Sequence, residues 1–366
     1  MIEFIIYFII GFLLLQLLVA FSNLLFRNKL PRKNFTFEQE PLVSILIPAR
    51  NEENNLPALV NSILSQNYKD IEIIIYNDDS TDNTLKIAEE FSRKYSFIKV
   101  INGNSLPSGW YGKTYACWNL GKHANGDFFL YLDADVRISG KIIRRSISYM
   151  QRKKLGLISI FPKQIMMTFG EKLVVPIMNI ILLSLLPLIT VRSRFFPSLS
   201  AANGQFMMYN RDIYDKFRPY QYFKSNKAED IAIAYYLKQQ KVPIACLLGD
   251  NEITCRMYSS FFDAIEGFAK NIISFFRNSA LLSLFYVVIN TFALPFLLCY
   301  SNVQYFYAAF IIQLLTLLII FVLSNQSFIF NILTQPIRQI VLIYLIFKSL
   351  IARKKKGYLW KGRYVK

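Results

Sequence analysis

The stretch LVSILIPARNEE, residues 42–53, passes from a continuous apolar run into a polar turn. A run of branched apolar residues without polar interruption is typical of a parallel strand that is buried on both faces. Three further apolar runs follow, at residues 71–76, 97–101 and 127–132. Each is preceded by a segment with helical spacing, at residues 53–65, 82–94 and 114–124. Strands that alternate with helices at this spacing predict an α/β fold, with a mostly parallel sheet wound with helices.

Polar turns follow three of the predicted strands. In sheets of this kind a ligand binds beyond the carboxyl ends of the strands. The candidate site residues are therefore Pro48, Ala49 and Glu52 after the first strand, Asp78 after the second, and Asp133 and Asp135 after the fourth. Helix capping is a simpler explanation for some polar residues in such turns, because Asp, Asn and Ser are common caps.

Asp133 and Asp135 are the strongest sign of a bound cation. Residues two apart in an extended segment point to the same side, and two carboxylates on one side repel each other unless a cation lies between them. Magnesium and manganese ions prefer oxygen ligands and often bridge to phosphates. Taken with the other two turns, this pair predicts a divalent metal and a diphosphate at the site.

Other kinds of nucleotide or metal site fit less well. No GxGxxG follows any of the predicted strands. Gly112-Lys113-Thr114 resembles the end of a P-loop, but Pro107 stands where that motif has its first glycine. The single histidine, His123, excludes a multi-histidine metal site, and the four cysteines lack the CxxC spacing of zinc ligands.

Apolar segments towards both ends predict a membrane protein with a soluble middle. Three of them lack charged residues and have the length of a spanning helix, at residues 4–21, 280–300 and 303–323. Basic residues follow the first segment and fill the C-terminus, so both flanks are expected in the cytoplasm. We expect a transmembrane anchor at residues 1–26, a cytoplasmic domain at 40–275, a membrane region at 280–352 and a basic cytoplasmic tail at 353–366.

The formal net charge of +18 first suggests a nucleic-acid partner. However, the sequence shows no nucleic-acid recognition module, and seven of its basic residues lie in the last 14 positions. Contact with anionic lipids at a membrane surface explains this clustering better. We therefore expect a membrane partner and no nucleic acid.

Four motifs in order resemble glycosyltransferase family 2, whose members are inverting nucleotide-sugar transferases with a GT-A fold. They are SILIPARNEE at residues 44–53, NDDSTD at 77–82, DAD at 133–135 and AED at 228–230. The resemblance covers roughly residues 40–275. It implies a transfer from a UDP-sugar that depends on Mg²⁺ or Mn²⁺. The element RMY at residues 256–258 departs from the family's QxxRW pattern, which argues against a processive polysaccharide synthase.

The resemblance also assigns roles to single residues. Asp230 would be the general base, beside Glu229 in the acid pair, and Asp135 would bind the metal together with Asp133. Contacts to the nucleotide sugar would come from Pro48, Ala49, Glu52, Asp78, Lys113, Asp133 and Arg256. The acceptor site would include Gly204, Gln205, Trp360 and Arg363. Two of these have simpler alternatives, because Lys113 could be a solvated surface lysine and Trp360 a membrane-interface anchor.

Further similarities suggest the kind of acceptor. WYGKTYAC at residues 110–117, FDAIEGFAKN at 262–271 and WKGRY at 360–364 resemble family members that glycosylate carotenoid carboxylic acids. We therefore expect the transfer of a sugar to a lipid or isoprenoid acceptor at the cytoplasmic face. Glucose is the sugar that we expect first. Another lipid acceptor, polysaccharide synthesis and a non-catalytic membrane scaffold of the same fold are the alternatives.

Two apolar segments leave their relation to the membrane open. Residues 326–351 are interrupted by Pro336, Arg338 and Lys348, so they could span the membrane or lie at its interface. Residues 173–191 are long enough to span, but a crossing there would place Asp133 and Asp230 on opposite sides of the membrane. We expect this segment to lie at the interface or to line the acceptor site.

Overall fold

The computed structural model describes residues 1–26, 28–32, 37, 39–103, 105–354, 358–360 and 363–365, with the backbone alone for residues 354, 358–360 and 363–365. The strands in this part of the chain are β1 (Val43–Ala49), β2 (Ile71–Asn77), β3 (Ile98–Asn102), β4 (Phe128–Leu132), β5 (Val136–Ile138), β6 (Leu157–Phe161), β7 (Lys163–Gln164), β8 (Phe206–Asn210), β9 (Ile244–Leu248), β10 (Ile253–Cys255), β11 (Tyr358–Trp360) and β12 (Arg363–Val365).

The α-helices are α1 (Ile2–Phe26), α2 (Leu56–Leu64), α3 (Thr84–Lys94), α4 (Gly112–His123), α5 (Ile142–Lys153), α6 (Phe169–Val174), α7 (Pro176–Leu185), α8 (Arg211–Phe217), α9 (Pro219–Tyr222), α10 (Glu229–Gln239), α11 (Phe261–Asn271), α12 (Ala280–Tyr300), α13 (Val303–Leu323), α14 (Phe328–Leu333) and α15 (Gln335–Lys354). Two short 3₁₀ helices cover Leu188–Arg192 and Ile272–Phe276.

The chain divides into two compact units. The sheet unit consists of Asn28–Gln164 and Thr190–Arg256, and the helical unit consists of Met1–Arg27, Ile165–Ile189 and Met257–Lys366. This division differs from the domains expected from the sequence, because residues 165–189 and 257–275, which were expected in the cytoplasmic domain, belong to the helical unit. The transmembrane, cytoplasmic and tail assignments of those domains stay predictions.

A seven-stranded sheet forms the core of the sheet unit, in the order β3-β2-β1-β4-β8-β6-β9. The neighbours β3, β2, β1 and β4 run parallel, as predicted from their apolar runs. Strand β8 lies antiparallel to both β4 and β6, so the sheet is mixed at this position. The predicted α/β fold is confirmed, with this antiparallel strand as the feature that the apolar pattern did not reveal.

A buried carboxylate ties the first two strands to the turn before β4. Glu72 of β2 accepts from Ser44 Oγ at 2.7 Å and from the backbone N–H of Asn125 at 2.6 Å. Lys99 of β3 donates to its other oxygen at 3.3 Å. Burial alone would raise the pKa of Glu72, but these hydrogen bonds outweigh it and the pKa lies below its usual value. The network fixes how three parallel strands align.

A smaller three-stranded sheet completes the sheet unit, in the order β5-β10-β7. Strand β10 runs antiparallel to β5, and its last residue, Cys255, is opposite Val136. Asp135 directly precedes β5, so this pairing holds the end of the DAD motif next to the end of β10. The small sheet therefore positions one of the predicted metal ligands.

Four helices of the helical unit are long and apolar enough to cross a membrane by length and composition: Ile2–Phe26, Ala280–Tyr300, Val303–Leu323 and Gln335–Arg353. The first three match the predicted segments. Within the unit α1 packs against α12 and α13 through buried apolar side chains, which include Leu13, Leu297 and Ala309. The fourth falls in the segment whose placement was left open, and whether it spans stays a prediction.

The apolar segment at residues 173–191 does not form one long helix. It is divided between the end of α6, helix α7 and the 3₁₀ turn Leu188–Arg192, and Pro176 occupies the first position of α7. Proline is well tolerated at a first helical position, where its missing N–H has no intrahelical partner. Each piece is shorter than a spanning helix. Whether the segment lies at the interface or lines the acceptor site stays a prediction.

We predict that Glu72→Gln lowers the free energy of unfolding at pH 7 by about 1–3 kcal/mol, the range for hydrogen bonds to a charged group. Because the folded-state pKa of Glu72 is depressed, its stabilisation is present above its usual pKa of 4.5 and is lost as the pH falls through the folded-state pKa. The difference between the two chains should therefore shrink in acid.

Guanidinium unfolding of the full chain in detergent, followed by tryptophan fluorescence at pH 7 and pH 4, measures this difference. Glu90→Gln on the exposed face of α3 is the matched control and should leave stability unchanged. A Glu72→Gln deficit of the same size at both pH values would contradict the assignment.

Candidate active site

Lys113 lies at the centre of the candidate site. It is the second residue of α4, and its Nζ is 2.7 Å from a carboxylate oxygen of Asp133 and 3.9 Å from Oε1 of Glu229. Burial alone would lower the pKa of Lys113, but Asp133 and then Glu229 raise it above its usual value. The lysine is therefore a fixed cation between two acids, and not the solvated surface lysine that was the alternative.

Asp230 is held beside this ion pair by backbone amides. Its Oδ2 accepts from the N–H of Gly204 at 3.0 Å, and its Oδ1 accepts from the N–H of Ile231 at 2.8 Å. Burial raises the pKa of Asp230 above its usual value, although these two hydrogen bonds oppose the shift. The carboxylate is thus oriented by the first turn of α10 and by the segment that precedes β8.

Gly204 allows the two charged groups to approach the backbone. A Cβ atom at this position would lie 3.1 Å from Lys113 Nζ and 3.7 Å from Asp230 Oδ2. The first distance is tighter than an ordinary van der Waals contact, so a side chain at this position would require the lysine ammonium to shift by a few tenths of an ångström. The groups that approach the backbone here belong to the chain itself, and the predicted place of Gly204 in the acceptor site stays a prediction.

Glu229 is the more buried member of the acid pair. Only 8% of Glu229 is exposed, and Asp230 is half-buried. Burial raises the pKa of Glu229 to about 7, Lys113 lowers it and Asp230 raises it further. The two neighbouring acids therefore differ in their surroundings. Glu229 faces the lysine, whereas Asp230 is more accessible to a ligand.

Asp135 carries a carboxylate oxygen that fits a cation. Its Oδ1 is buried and has no hydrogen-bond partner within the described part of the chain. Burial, followed by the negative charge of Asp133, raises the pKa of Asp135 to about 7. Such an oxygen is costly to leave without a partner, and a positive charge would satisfy it.

The two carboxylates suit a metal ion that would be bound partly by the protein and partly by a substrate. No group of three or more His, Cys, Asp or Glu side chains with metal-binding geometry occurs among the residues that the structure describes. Asp133 and Asp135 are the two carboxylates of the predicted metal site. Magnesium is commonly bound by one or two carboxylates, with waters and substrate phosphates completing its shell. The residues present therefore fit a divalent cation that binds together with a diphosphate.

Gln205 lies behind the acids, and its side chain is occupied by internal hydrogen bonds. Its Nε2 is 2.9 Å from Cys255 Sγ, and its Oε1 accepts from Gln164 at 3.2 Å and from Asn203 at 3.3 Å. Its backbone carbonyl accepts from the N–H of Asp133 at 3.3 Å. These contacts position the DAD motif, and contact with an acceptor stays a prediction.

The turn after β1 is joined to the turn after β2 by Arg50. Its Nη1 donates to the carbonyl oxygens of Asp78 at 2.6 Å and Asp79 at 2.8 Å. The N–H of Asp78 in turn donates to the carbonyl of Ala49, the last residue of β1, at 2.8 Å, and Pro48 precedes it in the strand. The predicted nucleotide contacts Pro48, Ala49 and Asp78 are thus brought together at one edge of the sheet.

Glu52 is linked to the DAD motif through two side chains. It accepts from Asn55 Nδ2 at 2.9 Å, and Asn55 Oδ1 accepts from Arg137 at 3.2 Å. Arg137 also donates to the carbonyls of Ala134 at 2.9 Å and Val136 at 2.7 Å. The three predicted turns therefore converge, as expected from the sheet.

Sequence reasoning missed Arg50 and Arg137, which hold these turns in place. Both donate mainly to backbone carbonyls, and the ion pair between Arg50 and Asp79, at 3.4 Å, joins residues 29 positions apart, which spacing does not reveal. Only their positions in the sequence pointed to the site: Arg50 is the first residue of the polar turn after β1, and Arg137 comes two residues after Asp135. Side chains that brace a turn are hard to separate from solvated ones without the fold.

The remaining predicted residues are placed less fully. Arg256 directly follows β10 and is exposed. Trp360 and Arg363 are paired residues of the β11–β12 hairpin, and their side chains lie outside the described residues. Their predicted contacts with donor and acceptor stay predictions.

Comparison with known proteins supports the motif assignment. Residues 44–218 match the model of the Glycosyl transferase family 2. A 4,4'-diaponeurosporenoate glycosyltransferase of Staphylococcus haemolyticus is 29% identical over 240 residues, which is 63% of this chain and 60% of the relative. The same-named protein of Staphylococcus aureus strain USA300 is 28% identical over 255 residues, 67% of this chain and 64% of the relative. The chain thus spans less than two thirds of these relatives.

The fold also has a counterpart among solved structures. A mannosyltransferase from Pyrobaculum calidifontis, in complex with GDP-Man and Mn²⁺, superposes with a TM-score of 0.59 at 14% identity, and the match covers 96% of this chain and all of the other. At this identity the likeness concerns the fold alone. Residues 44–218 therefore match a glycosyltransferase family 2 domain and the chain has a GT-A fold, in agreement with the family and the fold that the motifs predicted; three of the four motifs lie within the matched residues.

Proposed function

We propose that this chain is an inverting glycosyltransferase that moves a sugar from a UDP-sugar to a lipid acceptor at the cytoplasmic face of a membrane. The observation that carries the proposal is the group of acids around Lys113, in which Asp133, Glu229 and Asp230 converge from separate segments of the sheet unit. Glucose is the proposed sugar, and a carotenoid carboxylic acid is the proposed acceptor. The names of the relatives support that acceptor class.

Asp135 and Asp133 are proposed to hold a divalent metal, Mg²⁺ or Mn²⁺. When bound, such an ion offsets the negative charge that develops on the diphosphate as it leaves. The chain's own contribution there is Lys113, whose raised pKa keeps it charged at neutral pH. Pro48, Ala49, Glu52, Asp78 and Arg256 are proposed to hold the nucleotide and its diphosphate around this centre.

Asp230 is proposed to take the proton of a hydroxyl acceptor. In an inverting transfer the acceptor oxygen forms a bond to the sugar carbon while the bond from that carbon to the diphosphate oxygen breaks, and UDP leaves with the electron pair. The hydroxyl proton passes to a carboxylate behind the acceptor. Asp230 is half-buried and oriented by two amides, whereas Glu229 is buried against Lys113. A carboxylate acceptor has no proton to lose, and Asp230 would then mainly position it.

Asp135→Asn should weaken Mn²⁺ binding in the presence of UDP about tenfold or more and abolish sugar transfer, because it removes one ligand charge with little change in shape. Isothermal titration of the purified full chain measures the binding, and thermal unfolding checks that the variant remains folded. Asp212→Asn on the exposed face of α8 is the control and should bind Mn²⁺ like the unaltered chain. Full transfer activity in EDTA would overturn the metal assignment.

Asp230→Asn should reduce turnover roughly 10²–10⁴-fold with a hydroxyl acceptor, the usual contribution of a general base. This corresponds to about 3–5 kcal/mol at about 1.36 kcal/mol per decade. The affinity for the UDP-sugar should change little. With a carboxylate acceptor, which is already ionised at neutral pH, the loss should be smaller and arise from misplaced substrate.

Initial rates with both acceptor classes, together with UDP-sugar binding, measure this difference. Glu229→Gln serves as the matched comparison, because it neutralises the adjacent acid. If Glu229→Gln is inactive and Asp230→Asn retains nearly full activity, the base has been assigned to the wrong residue.

A further inference from the structure

The helical unit contains a cavity whose wall is unusually polar for its surroundings. The volume open to the centre of a water molecule is about 40 Å³, and all of the lining residues belong to the helical unit. Each of the four helices long enough to span a membrane contributes to it. Their polar side chains at the cavity are Gln16, Tyr286, Asn290, Gln313, Thr316, Gln335, Arg338 and Gln339.

Gln16 presents a donor to this cavity that no other group accepts. The residue lies in the middle of α1 and is only 3% exposed. Its Nε2 is buried and has no hydrogen-bond partner in the part of the chain that the structure describes. A buried amide without a partner is costly in an apolar helix, which indicates that a ligand atom accepts from it.

Arg338 adds a buried positive charge. The residue is 2% exposed, and its guanidinium donates to the carbonyls of Lys172, Leu173 and Asn331 and to the side chains of Asn331, Thr334 and Gln335. All of these acceptors are neutral. None of the ion pairs among the described residues includes Arg338. Its N–H groups therefore have hydrogen-bond acceptors, but no negative charge among these acceptors compensates its positive charge.

These two features define the chemistry of a ligand. An oxyanion would accept from the free amide of Gln16 and would compensate the charge of Arg338, whereas a cation would be repelled by that charge. Apart from Ser184, the rest of the wall is apolar and includes Ile181, Leu317 and Leu342. A charged side chain buried among helices of this kind usually marks a functional site.

We propose that this cavity binds the oxyanionic head group of a lipid, either a carboxylate or a phosphate. The proposal goes beyond the transfer reaction, because it does not require that the bound lipid is the acceptor. It also gives a function to Arg338, one of the residues that interrupt the apolar segment at residues 326–351. Binding can be measured without a nucleotide sugar, so its outcome is separate from that of the proposed function.

Titration of the purified full chain in detergent with palmitate, phosphatidic acid and diacylglycerol, followed by native mass spectrometry, tests the proposal. At least one of the two acids should bind, and diacylglycerol should bind far more weakly. Gln16→Leu keeps a similar volume and removes the donor. It should raise the apparent Kd about tenfold or more, since a hydrogen bond to a charged group is typically worth at least one decade.

Gln313→Leu, on α13 at the same cavity, is a second variant and should also weaken binding. Gln304→Leu, on the same helix but exposed and away from the cavity, is the control and should bind like the unaltered chain. Binding of palmitate alone supports a carboxylate ligand, and binding of phosphatidic acid alone supports a phosphate ligand. Equal binding of all three lipids, no binding of either acid, or Gln16→Leu behaving like Gln304→Leu would overturn the proposal.

Discussion

The ammonium group of Lys113, placed between the carboxylates of Asp133 and Glu229, is the interaction on which the site depends. The three residues come from the start of α4, the end of β4 and the start of α10. Carboxylates brought together in a partly buried place repel each other, and their pKa values rise unless a cation compensates them. Lys113 supplies that cation, and Gly204 leaves it room.

The sheet explains why these segments meet. Strands β1, β2 and β4 run parallel, so the turns that carry Asp78 and the DAD motif lie at one edge. Strand β8 runs antiparallel to β4, and Leu132 pairs with Phe206. The start of β8 therefore lies beside the end of β4, which brings Gly204 to Asp133. The one reversed strand near the middle of the sheet is what delivers the amide that orients Asp230.

Much of this arrangement could be predicted from the sequence, because it rests on local patterns. Continuous apolar runs revealed the parallel strands, and the spacing of Asp133 and Asp135 revealed a pair of acids on one side. The contacts of Arg50, Arg137 and Gln205 could not be predicted, since each joins segments far apart in the chain through backbone carbonyls or buried amides. The acidic partners of Lys113 could not be predicted either. Lys113 lies in a segment that only partly resembles a P-loop, so a role as a surface lysine remained open.

The segment at residues 326–351 shows a second limit of sequence reasoning. Pro336 and Arg338 seemed to interrupt it. The segment does divide at Thr334, between α14 and α15, and Pro336 lies in the first turn of α15, where proline is tolerated. Helix α15 continues through Arg338, whose guanidinium is surrounded by neutral acceptors from α6, α14 and its own helix. A charge that would end an isolated membrane helix is accommodated here by its neighbours, which no periodicity in the sequence records.

The central claim, that the acids around Lys113 form a transferase site, is tested most directly by following the lipid product. The purified full chain and its Lys113→Met variant would be incubated with UDP-glucose, Mn²⁺ and a lipid extract that contains a carotenoid carboxylic acid, and the lipids analysed by mass spectrometry. We expect a hexose-bearing lipid with the unaltered chain and only background with the variant, while thermal unfolding shows that both are folded. Equal amounts of product from the two folded chains would contradict the account.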